Sequence, residues 1–230
     1  MALDLTVGFL ADANLPPEAA DELRAQFALV NDALAEAGLP SHREPEATPG
    51  LEPWIGRMWG YDGLHYARRL AVHLAYGNPL PEPGNDESCE DPLAEQYLRD
   101  IAGPGPGVLG RLFGRRKAPT RMFDHLLMHG DAEGFYVPID FPHALIPESV
   151  TLPGIALGSS VALLRECNAL ATQLGIPADA VPESKAVWDA AERQGQADGW
   201  LRYGVESFTI LQLREAARRS VASGAAIMFA

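Results

Sequence analysis

"HLLMHGDAEGFYVPIDF", residues 125–141, sets two histidines and three acids among apolar and aromatic residues. Its secondary structure decides both the fold and the chemistry. On a helix, His125 and His129 stand one turn apart on the same side and could share a metal ion. On a strand they share a face but lie about 13 Å apart, at roughly 3.3 Å per residue, and no ion spans that. Glycines bound the turn "GDAEG", and β-favouring residues follow it. The pattern therefore predicts a hairpin, Phe123 to His129 paired with Phe135 to Phe141, with Pro138 marking an edge or a bulge. The expected arrangement sets His125 and His129 beside apolar cross-strand neighbours and leaves no metal site. His129 then ends its strand beside Asp131 and Glu133, a candidate catalytic set in which carboxylate and imidazole act as general base. Substitution of His129 is expected to impair function, and substitution of His125 to affect mainly stability.

Outward from this stretch, the periods alternate between strand and helix. Leu3, Leu5, Val7 and Phe9 share one face of an N-terminal strand over residues 3–11. Pro16 and Pro17 open a helix whose stripe is Leu23, Phe27, Val30 and Leu34, ended by Gly38 and Pro40. A second helix near Asp62 to Tyr76 turns Leu64, Ala67, Leu70 and Leu74 inward. A short helix spans about Leu93 to Ile101. "GSSVALLRECNALATQLG" reads as a helix with a serine N-cap and Gly175 as its stop, and further helices cover Ser184 to Gln194 and Val205 to Ser223. "AAIMFA" closes the chain as a strand. This order predicts an α+β fold: a mixed or antiparallel sheet with helices packed on it, and the N- and C-terminal strands neighbours within it. One domain over residues 1–230 is expected, with the Gly/Pro/Arg-rich segment 103–119 a flexible loop or linker.

The 230 residues carry a net charge of −13. Residues 1–100 hold 18 acids and 6 bases, a balance of −12; residues 101–230 hold 13 acids and 12 bases, a balance of −1. Such a surface repels phosphate backbones, so no nucleic acid is expected as partner, whereas a basic protein is attracted. The N-terminus lacks the basic start of a signal peptide, and no apolar run reaches the roughly 20 residues of a membrane span. Two cysteines, Cys89 and Cys167, form no disulfide framework. Sixteen arginines against two lysines fit a GC-rich bacterial genome, and a cytoplasmic location is expected.

A second candidate lies on the outer side of the helix near Asp62 to Tyr76, where His65, Arg69 and His73 follow at one-turn spacing. With Arg68, Arg57 and His42 they could bind an anion; as a solvated helix face they need no ligand. No phosphate loop, dinucleotide fingerprint, G-x-S-x-G, H-E-x-x-H or paired C-x-x-C is present, and nothing calls for a cofactor. "LPSHREPE", "HGDAEGFYVPIDF", "LGSSVALLREC" and "GVESFTILQLREAARRSVASGAAIMFA" resemble segments of a family of bacterial proteins of similar length with no assigned function. That resemblance covers most of the chain and implies a bacterial, cytoplasmic protein without specifying an activity. Two functions follow as expectations. The first is a non-enzymatic acidic binding protein, immunity-like or a regulatory partner of a basic protein. The second is a small hydrolase or metal-assisted enzyme centred on His129, Asp131 and Glu133.

Overall fold

The computed structural model describes residues 3–46, 52–102 and 119–229. Its strands are β1 Asp4–Val7, β2 Trp54–Arg57, β3 Gly134–Val137, β4 Gly158–Ser159 and β5 Ile227–Phe229. They form a mixed sheet in the order β2-β1-β5-β3-β4, antiparallel except for β3 and β4. The chain ends meet as expected, with Leu5 opposite Phe229 and Val7 opposite Ile227. The fold is α+β.

Strand alternation feeds two cores. Leu5, Val7, Ile227, Phe229 and Tyr136 point to one face. That face is covered by α2 Gly60–Ala75, α5 Ser160–Leu174 and α7 Gly204–Ser223, with α3 Pro92–Ala102, α4 Asp124–Met128 and α6 Lys185–Glu192 packed around them. Phe135, Val137 and Met228 point to the other face. There α1 Pro17–Glu36 lays down Leu23, Phe27, Val30 and Leu34, the stripe read from the sequence. Ser159 caps α5 by accepting from the Ala162 N–H, and Gly175 ends it in the left-handed conformation.

The expected hairpin is corrected. Residues 124–128 are helical, and β3 alone provides the strand half of the stretch. Long-range side chains make this five-residue helix. The Glu166 carboxylate of α5 accepts the His125 and Leu126 N–H groups at 3.0 and 2.8 Å. At the other end the Arg68 guanidinium of α2 donates to the carbonyls of Leu126, His129 and Gly130 at 2.8, 2.5 and 3.2 Å. Backbone groups at both ends of the segment are thereby bonded from outside it. β3 is flanked by β5 and β4, so it is no edge. It stops at Val137, one residue before Pro138, whose missing N–H therefore costs no ladder bond. β2 follows the proline-rich loop, and its pairing with β1 was not anticipated from the sequence.

The segment expected to be flexible, 103–119, lies outside the described residues except for Pro119. Among the described residues, no helix is long and apolar enough to cross a membrane.

Because β5 is the middle strand and pairs on both sides, removing residues 225–230 should abolish the cooperative melting transition rather than trim the chain. Circular dichroism melting of the truncated chain checks this. Arg68→Lys keeps the charge but loses the planar fork that gathers three carbonyls, and should lower stability by on the order of 3 kcal/mol in a denaturant titration.

Candidate functional site

Helix α1 divides its residues sharply by face. At about 100° per residue, Glu18, Asp21, Glu22, Asp32 and Glu36 fall within about 60° of one line, and all five are exposed. Its large buried residues, Leu23, Phe27, Val30 and Leu34, lie on the opposite side. The helix carries a single base, Arg24, which Asp21 and Glu46 already engage at 2.8 and 3.3 Å. From Glu18 to Glu36 the line runs about 27 Å, at 1.5 Å per residue. At its C-terminal end Glu36 accepts from the Ser149 hydroxyl and the Glu148 N–H, which hold its carboxyl below the ordinary value. Glu148, also exposed, adds a further acid there.

The orientation of α1 is fixed by more than its apolar stripe. The Asn31 amide both donates to the His42 carbonyl at 3.0 Å and accepts from the His42 N–H at 2.7 Å. Two residues on, Glu44 pairs with His42 at 2.7 Å and accepts from the Ala226 N–H at 2.7 Å. His42 and Glu44 are both buried. They thus bind the loop after α1 to the residue that precedes β5. An open groove of about 740 Å³ lies along this side of α1, lined by Phe27, Asn31, His42 and Glu46 among others.

The residues proposed from sequence gather elsewhere, across the sheet from α1. A cavity of about 440 Å³ between α2, α3 and the end of α4 is lined by His65, Arg69, His129 and Asp131 over a floor that includes Tyr97 and Met128. Thus His65 and Arg69 of one candidate set meet His129 and Asp131 of the other. His73 joins them only through Asp91, which accepts from Arg69 and contacts His73, each at 3.0 Å. Burial pushes the Asp91 carboxyl up, but bonds from the Leu93 N–H, His73 and Arg69 outweigh it and hold the group below its ordinary value. Glu133 is exposed and does not line the cavity.

Most polar groups here are engaged within the fold. Arg68 holds Asp131 as well as its three carbonyls. Arg69 donates to Asp91 and to the Glu82 carbonyl. His65 Nε2 stands 3.7 Å from Asp131, a loose pair at the cavity wall. The His129 ring stacks on Tyr136 at 4.1 Å, with Nδ1 3.0 Å from the Gly130 carbonyl and Nε2 buried without a partner. His125 accepts from the Ser159 N–H at Nδ1 and donates to the Phe141 carbonyl from Nε2. Among the described residues, no three His, Cys, Asp or Glu side chains are placed to hold a metal ion.

Burial lowers both histidines to about 4. Each is therefore neutral in the fold and takes up a proton more readily when unfolded, from an ordinary value of 6.5. The stability this contributes is present above that value and lost as pH falls toward 4. Glu166 acts in the opposite sense. Burial raises it to about 8, so its contribution is lost as pH rises through the folded value. Only a difference between proteins isolates one group. His129→Phe should flatten the dependence of unfolding free energy on pH between 4.5 and 6 by about 1.4 kcal/mol per pH unit. Denaturant titrations of both proteins across that range check this.

Residues 1–229 match the model of a protein family described as "Putative DNA-mimic protein". No curated protein and no solved structure matches the chain. A match over nearly the whole length settles membership: this chain belongs to the family described as putative DNA-mimic proteins.

Proposed function

We propose that this chain is a non-enzymatic decoy that occupies the nucleic-acid-binding face of a basic protein, with the outward carboxylates of α1 standing where phosphates would. The observation that carries this reading is the line Glu18, Asp21, Glu22, Asp32 and Glu36, exposed on a helix whose other face is buried. A nucleic-acid strand sets one charge per about 3.4 Å of helix axis. The α1 acids stand on average one per roughly 7 Å over its length, counting 1.5 Å per residue. The likeness is therefore one of sign and linear arrangement at a lower charge density. The net charge of −13 extends the same field and speeds encounter with a basic surface. Family membership supports the reading through the family's description. A cytoplasmic location, in reach of DNA-binding proteins, belongs to the same proposal.

The test is capture of a basic DNA-binding protein on the immobilised chain, followed by competition. Duplex DNA should displace the captured protein, and raising salt should weaken the capture. Neutralising the α1 line (Glu18→Gln, Asp21→Asn, Glu22→Gln, Asp32→Asn, Glu36→Gln) should weaken it at least about tenfold, since charge complementarity provides the attraction. The same neutralisation of Asp179, Glu183, Glu192 and Asp198, in the layer across the sheet, should leave it unchanged. Capture indifferent to duplex DNA, or to the α1 substitutions, contradicts the proposal.

A further inference from the structure

We infer that the protein this chain occupies reads duplex DNA through the major groove, and that Ala25 and Leu29 of α1 stand where base edges would. The inference rests on the decoy reading above and names the class of its partner. The acids of the α1 line are unevenly spaced. Glu18, Asp21 and Glu22 form one group and Asp32 and Glu36 another, with no charged residue on the line between Glu22 and Asp32. At about 100° per residue, Ala25 and Leu29 fall within about 20° of the line through Glu18 and Glu36, and both are exposed. Leu29, 37% exposed, stands in water where a polar residue would serve a merely solvated helix face. The outer face of α1 is therefore acidic at both ends and apolar in the middle.

The dimensions select a groove. Glu22 and Asp32 are ten residues apart, about 15 Å along the axis at 1.5 Å per residue. The major groove is about 12 Å wide and the minor groove about 6 Å. The uncharged gap fits the wider one. In the major groove, apolar side chains meet the thymine methyl group, and Leu29 with Ala25 offers apolar surface of that kind. Basic residues flanking such a reading element hold phosphates on either side, and the two acidic groups stand in for them. A single-strand binder needs flat faces on which its aromatic residues stack. α1 offers none, because its one aromatic residue, Phe27, is buried against the sheet. A protein that follows the phosphate backbone alone has no use for an uncharged centre. The occupant is thus a protein whose apolar reading element lies between two basic clusters.

Filling the gap with charge separates this inference from plain attraction between opposite charges. Ala25→Glu and Leu29→Glu, singly and together, extend the row of carboxylates at exposed positions and should leave the chain folded by circular dichroism. Binding is measured with the captured basic protein, purified, as the probe. A partner held by charge alone should bind these variants more tightly than the unmodified chain. A major-groove reader should bind Leu29→Glu about tenfold more weakly, because the new carboxylate is buried unpaired against apolar residues. A short duplex should displace the probe, and a single strand of the same sequence and nucleotide concentration should not. A duplex whose minor groove is filled by distamycin should displace it as well as the bare duplex does. Binding of Leu29→Glu as tight as that of the unmodified chain, or tighter, overturns the inference. So does displacement by the single strand, or loss of displacement on filling the minor groove. In each of those cases the decoy reading stands if neutralising the five acids still weakens binding, and falls with the inference if it does not.

Discussion

The seating of α1 on the sheet is the constraint on which the charged surface depends. Phe27 is held between His42 and Phe135, with ring centroids 5.6 and 5.1 Å away. Leu23, Val30 and Leu34 are buried beside it. Each such side chain contributes about 1.5–3 kcal/mol relative to exposure. Rotating the helix by one residue, about 100°, would lift part of this stripe into water and carry carboxylates toward the sheet, where an unpaired charge costs several kcal/mol. Asn31 and the buried His42–Glu44 pair remove the remaining freedom by binding the following loop to the helix and to Ala226. The acidic line thus faces outward as a consequence of packing.

Across the sheet, polar residues do a different job. Glu166 and Arg68 close the two ends of α4, and Asp124 is fully buried among Arg121, His143 and the Tyr97 hydroxyl. Such groups resemble catalytic machinery in composition, but their bonds run to backbone and to one another. The cavity beside them brings His65, Arg69, His129 and Asp131 together, with Arg69 and Asp131 bonded within the fold and His129 Nε2 without a partner. On the α1 side Asp21 pairs with Arg24 and Glu36 accepts from Ser149 and Glu148, and all five acids of the line remain exposed.

Legibility in the sequence followed the same divide. α1, α2, α5 and α7 were readable because their apolar residues recur at helical spacing, with Pro17 opening α1 and Gly175 closing α5. The N-terminal strand was readable from alternation and the C-terminal one from its continuous apolar run. α4 was not, because its termini are completed by side chains 40 or more positions away, and glycine-bounded "GDAEG" imitates a hairpin turn. One signal for it was present: Glu166 follows Leu163 and precedes Cys167 and Leu170 on the buried face of α5, so a buried acid needed donors from somewhere. β2 was hidden by its brevity and its proline-rich approach. The α1 line was also visible, at positions 18, 22, 32 and 36, but the excess of acids was read as a property of the whole front half rather than of one helix face.

Carboxylate footprinting tests the central claim most directly. Carbodiimide labelling of the free chain, and of the chain bound to its captured basic partner, reports by mass spectrometry which acids the partner covers. The account predicts that Glu18, Asp21, Glu22 and Asp32 lose most of their labelling in the complex while Glu183, Glu192 and Asp198 retain theirs. Protection confined to the acids across the sheet, with the α1 line labelled as in the free chain, would contradict it.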